Sequence, residues 1–417
     1  MTQPLNICGF SRVSYWHGIR GGMDFHGRLL SEGLVRLGHR VTIISSRHPQ
    51  GIVRERRNGV DIHYLPDTQF GSRRHGWAAK SVRKFIELNQ KKTFDLVWSQ
   101  SFDAFGFAGF GKRLARPPIV ATLHGSIVQE CKSFFSDIKT GYKNPVHIAK
   151  GLARLCFAYF ICQRPLLAMA EKIICVSPVV ADDIVKWFGP SYAYKCAVIQ
   201  NGIDVDYFSP DPEKGAIIRN RHGIPADQPL ILSLGRLTPE KGHHVAIHAL
   251  KKLCDRKINA RLIIAGEGDY LARLRDIAEK SGMKERIVFT GFIPHDEAVA
   301  YYNAADVFVM PTLTVEGLPF VLLEAMACGT AVIASRIGGN SRLISDKVDG
   351  LLVEPGNIND LACNIERLIN DLRMRDAISR KGRRKVVEKY SVECMVENTL
   401  AVMEEVVLSG GGWHAGK

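Results

Sequence analysis

The ten cysteines between Cys8 and Cys394 include no CxxC pair and no cluster with histidine at metal-ligand spacing. That lack excludes a zinc finger or ribbon and a thioredoxin-like redox motif, and it fits reduced, mostly buried thiols rather than a disulfide scaffold. Low-complexity tracts are missing too. With 46% hydrophobic and 24% charged residues, the chain has the balance of an ordinary globular protein rather than a disordered one. The amino terminus, MTQPLNICGF, enters an apolar strand-like run with no charged region before it and no signal-type apolar stretch, so no export is expected. Long apolar runs are scarce. The longest, Leu155 to Ala170, is interrupted by Gln163, Arg164 and Pro165, which predicts no membrane-spanning helix, because a bilayer requires roughly 20 apolar residues. The expected compartment is cytoplasmic. A complete G-x-G-x-x-G fingerprint is also absent. Its nearest approach, GEGDYL at Gly266, lacks the third glycine, which speaks against a nicotinamide dehydrogenase.

What is present begins with length. A chain of 417 residues is too long for one ordinary core and suits two α/β domains of about 200 residues each. Charge divides the chain in the same place. Met1 to Val205 holds 28 basic and 14 acidic residues, while Asp206 to Lys417 holds 28 of each. The whole excess of +14 therefore lies in the first half, as it would for a domain that meets an anionic membrane surface, an acidic acceptor or nucleic acid. A general solubility charge is the other explanation.

The pattern along the chain is that of two doubly wound units. Leu5 to Phe10 reads as a buried strand, a loop passes through Gly21 and Gly22, and Asp24 to Leu37 has helical apolar spacing closed by Gly38. Strands follow at Arg40 to Ser45, Leu96 to Ser99, Ile119 to Leu123 and Ile173 to Val176, with helical segments among them, as in a parallel sheet with crossover helices. After the turn-rich NGIDVDYFSPDPEKG the pattern restarts. Strands at Pro229 to Gly235, Arg261 to Ala265, Arg286 to Thr290, Asp306 to Met310 and Ala331 to Ala334 alternate with helices. The expected boundaries are an amino-terminal domain over 1–205, a carboxyl-terminal domain over 206–391, and a tail over 392–417 whose helix crosses back to the first domain. Ligands in such sheets bind beyond the strand carboxyl ends, so a cleft between the two domains is the expected active site.

The stretch PTLTVEGLPFVLLEAMACGTAVIAS places Glu316 and Gly317 in a loop ahead of a helix read from about Pro319 to Cys328. Pro at a first helical position and the unsatisfied amides of that turn would suit phosphate or sugar hydroxyls. Glu324, amid Val321, Leu322, Leu323, Ala325 and Met326, would need a ligand's hydroxyls to justify burial; alternatively it lies on a solvated face, with Glu316 merely capping the helix. In GRLTPEKG, Arg236 and Lys241 flank a turn at a strand's carboxyl end. Two cations there make a plausible diphosphate clamp, and an exposed charged turn is the plainer reading.

With these motifs, in this order, the chain resembles the retaining glycosyltransferase family 4. The matching residues are Gly21 and Gly22, QNGIDVDYFSP, GRLTPEKG, IIAGEGDY, FTGFIP, and EGLPFVLLEAMACGTAVIAS followed by Gly338 and Gly339. The resemblance implies a GT-B fold, two Rossmann-like domains facing across a deep cleft, with the acceptor on the first and a nucleotide sugar on the second. It implies that Arg236 and Lys241, with Gly21 and Gly22 close by, hold the donor diphosphate, and that Glu316 contacts the transferred sugar. Gly317, Leu318 and Phe320 would supply further donor contacts, Glu324 would bond the ribose, and backbone near Phe292 would meet the base. His124, in VATLHG, matches a histidine near the reacting carbon. Two positions depart from the family's pattern: Arg342 stands where many members have glutamate, and Pro319 where glycine is frequent. The reaction implied is transfer of a sugar, from a UDP-sugar in preference to a GDP-sugar, to an acceptor hydroxyl with retention. No metal or cofactor is implied. The acceptor would be a glycan or lipid-linked molecule of cell-surface glycan, lipopolysaccharide or glycolipid synthesis, met at the inner face of a membrane by a peripheral enzyme.

Three other readings are less well served. An epimerase of nucleotide sugars would use the same architecture without an acceptor. A metal-dependent transferase of another fold would use D-x-D, and Asp204-Val-Asp206 supplies those letters, but two Rossmann halves argue against it. A nucleic-acid-binding protein would use the basic first half, yet no recognition motif accompanies the charge.

Overall fold

A computed structural model describes residues 3–18, 22–110, 116–125, 131, 134 and 145–409. The chain forms two compact units, Met1–Gly202 with Val392–Lys417, and Ile203–Ser391. The two crossings between units, far apart in sequence, lie side by side in space, since Ile203 pairs with Ser391 and its amide donates to Tyr390 O at 2.8 Å.

The first unit is built on an eight-stranded sheet of order β3-β4-β2-β1-β5-β6-β7-β8. The strands are β1 Asn6–Phe10, β2 Arg40–Ser46, β3 Arg54–Arg57, β4 Val60–Leu65, β5 Leu96–Gln100, β6 Ile119–Leu123, β7 Lys172–Cys175 and β8 Cys196–Val198. Only the β3–β4 pair is antiparallel. Strands β1, β5 and β6 are buried throughout, which is why they read as continuous apolar runs rather than alternating ones. The helix Val392–Ser409 packs on the helix Gly22–Arg36, and Gly33 makes room for it: a Cβ there would strike Val396.

The second unit has a six-stranded, wholly parallel sheet of order β11-β10-β9-β12-β13-β14. Its strands are β9 Leu230–Leu234, β10 Arg261–Ala265, β11 Ile287–Gly291, β12 Val307–Met310, β13 Ala331–Ser335 and β14 Leu351–Val353. Val245, Leu250 and Leu253 of the helix His243–Asp255 join Leu262, Ile264, Val307 and Val309 in one core.

Two expectations need correction. Pro319 is not the first helical residue but the N-cap of the helix Phe320–Ala327, with φ −74° and ψ 127°; its carbonyl accepts from Leu322 N. The apolar segment near Leu155 is not broken at Gln163–Pro165 either. Ile148–Met169 is one continuous 22-residue helix, long and apolar enough to cross a membrane by length and composition alone. Residues Phe157–Gln163 widen into a π-turn, and Arg164 N donates to Tyr159 O, five residues back. This absorbs Pro165, whose ring and missing donor would break a regular turn. Cys162, Leu166 and Leu167 belong to the first unit's core, so one face of this helix serves the fold.

Candidate functional site

In a doubly wound sheet the ligand crevice opens where adjacent strands send their connections to opposite sides. In the second unit that point lies between β9 and β12. Arg236 follows β9 and Glu316 follows β12, so topology brings these two loops to one crevice. Lys241 Nζ lies 2.5 Å from Glu316 Oε1, and Thr312 Oγ1 donates toward the same oxygen at 3.5 Å. The loops are also joined through backbone: Leu313 N donates to Glu240 O at 2.7 Å. Gly242, at φ +71°, sits so close to Pro311 O that any Cβ would collide with it, and Gly339 lies as close to Gly317 O. Glycine at both positions lets three loop backbones stack without side chains between them.

Arg236 is exposed, while the carbonyl of its own residue is anchored from below. His243 is buried, with Nδ1 2.9 Å from Ser233 Oγ and Nε2 3.2 Å from Arg236 O. A carbonyl can only accept, so the proton is on Nε2 and the Ser233 hydroxyl donates to Nδ1. Burial lowers this histidine to about 4, so the arrangement is neutral throughout the physiological range. Neither Ser233 nor His243 stands out in sequence. The signal available was a histidine ten residues after a serine at the end of a strand.

Glu324 is buried, which removes the solvated-face alternative. The Tyr302 hydroxyl donates to its Oε2 at 2.6 Å, and His295 Nδ1 lies 3.9 Å from Oε1. Burial raises its pKa to about 7, with the Tyr302 hydrogen bond acting against that rise. Tyr302 and His295 were not among the sequence-derived site residues. Phe292, by contrast, projects a ring that is 51% exposed beyond β11. Leu318 and Phe320 are buried beside Gly317. Asp204 belongs to a turn, its Oδ1 accepting from Tyr207 N at 2.9 Å and Asp206 N at 3.2 Å. Among the described residues no group of three metal-ligating side chains occurs.

In the first unit the corresponding point lies between β1 and β5. Gly22 opens the helix Gly22–Arg36; Gly21 lies outside the described residues. One turn into that helix, His26 is buried, and its ring meets that of His124 edge-on at 4.6 Å. Gln100, fully buried at the end of β5, donates from Nε2 to Met23 O at 2.7 Å and contacts His124 Nε2 at 3.0 Å. Because Met23 O accepts only, the amide nitrogen must face it, and its second proton points at His124 Nε2. His124 is thereby held with Nε2 unprotonated and its proton on Nδ1. Burial, with His26 beside it, holds His124 well below the usual histidine range. His26 itself is lowered to about 4 by burial. Gln100 and His26 were missed because their pairing with His124 crosses two strands and a helix.

Two family models match. Glycosyltransferase Family 4 covers residues 20–207, and Glycosyl transferases group 1 covers residues 216–385. The chain is 30% identical over 391 residues to an uncharacterized glycosyltransferase of Methanocaldococcus jannaschii, covering 92% of this chain and 94% of that one. A GDP-mannose-dependent alpha-(1-6)-phosphatidylinositol monomannoside mannosyltransferase of Mycolicibacterium smegmatis is 36% identical over 227 residues, which is 53% of this chain and 59% of that protein. Among solved structures, a sucrose-phosphate synthase from Thermosynechococcus elongatus superposes with TM-score 0.78 at 21% identity, covering 97% and 100% of the two chains. Anabaena HepE in complex with UDP and glucose does so at 0.74 and 19%, covering 96% and 99%.

Proposed function

The chain belongs to the group 1 glycosyl transferases of family 4, and from that premise we propose that it moves a sugar from a nucleoside diphosphate sugar to an acceptor hydroxyl, with retention and without a metal. The observation that carries this reading is the crevice between β9 and β12, where the loop bearing Arg236 and Lys241 meets the loop bearing Glu316 through stacked backbones and the Lys241–Glu316 pair. Arg236 and Lys241 would neutralise the diphosphate as it leaves, charge that grows only as the glycosidic bond breaks. Glu316 is already engaged by Lys241. That suits a carboxylate that orients a sugar hydroxyl and steers the ammonium better than one that attacks the anomeric carbon. In this reading the departing phosphate itself takes the acceptor's proton on the same face. Glu324 would accept from the ribose, the exposed Phe292 ring marks the base end, and Gly22 would let the first loop approach the phosphates.

His124 supplies a neutral Nδ1–H donor for a donor-sugar hydroxyl. The acceptor is assigned to the first, basic unit and taken to be a glycan or glycolipid. A relative's name records phosphatidylinositol monomannoside as acceptor and another's a diphosphoundecaprenol-linked sugar. Peripheral attachment to an anionic membrane fits exposed Leu152, Phe160 and Ile161 on the same helix as Lys150, Arg154 and Arg164.

The test is a thermal-shift panel of UDP, GDP and ADP sugars on wild type and Arg236→Ala, since a tight ligand stabilises the fold by mass action. A shift with one base, lost in the variant, is the expected result and names the base. Equal shifts in both proteins would remove Arg236 from the donor site.

A further inference from the structure

Beyond β2 and β4, on the same carboxyl edge of the sheet as His124, the first unit holds a cavity of about 610 Å³ lined by Arg47, Pro66, Asp67, Gln69, Phe70 and His75, among others. That is the size of a small-molecule site, open to solvent and lined mostly by polar side chains, with Pro49, Pro66 and Phe70 as its apolar part. The donor reading does not use it.

The loops around this cavity are bound together. Arg12 O, just after β1, accepts from Ser46 N at 3.2 Å and Ser46 Oγ at 2.6 Å, and Gly71 N donates to the same hydroxyl at 3.1 Å. From the next strand, buried Asp103 accepts from Arg12 N at 2.8 Å and Arg73 Nε at 3.1 Å, with Arg12 Nε 3.5 Å away. Arg73 lies over the Phe102 ring at 5.3 Å, and Arg74 over Phe157 at 5.2 Å. Arg12 and Arg73 thus share Asp103, with Arg74 next to them in the chain, while Arg47 and Asp67 line the cavity itself, one residue beyond the Ser46 that ties the two places together. Arg47 and Arg74 have no carboxylate partner among the described residues. Two non-glycine residues flank the cluster in the left-handed region, Ser101 and His75, each at φ +55°. Backbone held there costs free energy and is retained where the surroundings demand it, most often at binding sites.

Strand β2 stands three places from β6, which carries His124, a separation of about 14 Å at the usual strand spacing. We propose that this cavity, with Arg47 in its wall and the arginines of the neighbouring loops beside it, forms an anion subsite for an extended acceptor that carries a phosphate or diphosphate about 14 Å from the hydroxyl that is glycosylated. The proposal rests on the reading of the first unit as the acceptor side. Guanidinium forks suit phosphate oxygens, the ring stacks hold two of them in place before binding, and Phe70 and the prolines offer apolar contact to the rest of the molecule.

Arg12 and Arg73 neutralise a buried carboxylate, so replacing them would test folding rather than binding. The exposed pair is the better probe. Inorganic pyrophosphate titrated calorimetrically into the full-length protein should bind wild type in two events, at the donor clamp and at this subsite; Arg236→Ala should keep the subsite event, and Arg47→Ala/Arg74→Ala should show that event weakened about tenfold at unchanged melting temperature. Binding unchanged in the double variant, lost only in Arg236→Ala, or absent from wild type would overturn the subsite. UDP titrated into the same three proteins separates this from the donor reading. UDP binding should vanish in Arg236→Ala and persist in the double variant, whatever pyrophosphate does.

Discussion

Glu324 shows how a single buried group can tie stability to pH. Its ordinary pKa of 4.5 rises to about 7 because the carboxylate is desolvated, with Tyr302, His295, Phe208 and Cys328 around it. The native state therefore keeps a proton that the unfolded chain releases. That contribution is complete below pH 4.5 and is lost as pH rises through about 7. Glu324→Gln keeps an acceptor for Tyr302 without the charge. Above pH 7 it should be more stable than wild type by up to about 3 kcal/mol, with the difference vanishing near pH 4.5, as melting temperatures across pH 4.5–8 would show. Gln100 acts through a partner instead. Replaced by glutamate, it would accept from His124 Nε2 rather than donate to it, drawing the imidazole toward its charged form by about one to two pKa units. The acid side of the kcat/KM profile should then move upward in Gln100→Glu; a profile matching wild type would show that Gln100 does not set His124's proton. Of this first-unit constellation the sequence revealed His124 alone, since histidine and glutamine carry no local periodicity.

At the scale of elements, the legible features were those written in contiguous residues. Strands β6 and β10 coincide with their sequence-derived limits, Ile119–Leu123 and Arg261–Ala265, because both are apolar runs bounded by polar turns. The hairpin of β3 and β4 went unread: β3 is Arg-Glu-Arg-Arg, mostly exposed at the sheet edge, where charge blunts further pairing and disguises a strand. The π-turn at Phe157–Gln163 was unreadable for another reason, since proline predicts a break and only packing against the core keeps the helix continuous. The stacked loops of the second unit yield a sharp test. In Gly242→Ala the new methyl meets Pro311 O at a backbone angle that alanine resists, so the TPEKG loop must withdraw from the loop after β12. A stability loss of about 1–3 kcal/mol is expected together with loss of the nucleotide-dependent thermal shift. Retention of that shift would mean that the donor crevice does not depend on the stack.

For the whole molecule, the uneven charge is the property with the longest reach. Twenty-eight basic residues against fourteen acidic ones in Met1–Val205 favour an anionic surface, and exposed Leu152, Phe160 and Ile161 add apolar contact beside Lys150 and Arg154. Lys143, a further cation just ahead of their helix in the sequence, lies outside the described residues. Sedimentation with vesicles containing phosphatidylserine should pull down wild type at low salt and lose it in Lys150→Ala/Arg154→Ala. Neutral and anionic vesicles binding equally would remove the electrostatic account. By itself the sequence determined the two doubly wound units, the loops that follow β9 and β12, and the family, because strand periodicity, glycine placement and short motifs are local properties of the chain. Only the tertiary structure decided the rest: that Gln100 sets His124's tautomer, that His243 anchors Arg236, that Tyr302 buries with Glu324, and that arginines from separate loops meet around Asp103. Most of these are contacts between residues far apart in the chain, chosen by sheet order and by the need to satisfy buried polar groups, and neither cause leaves a mark on the residues nearby.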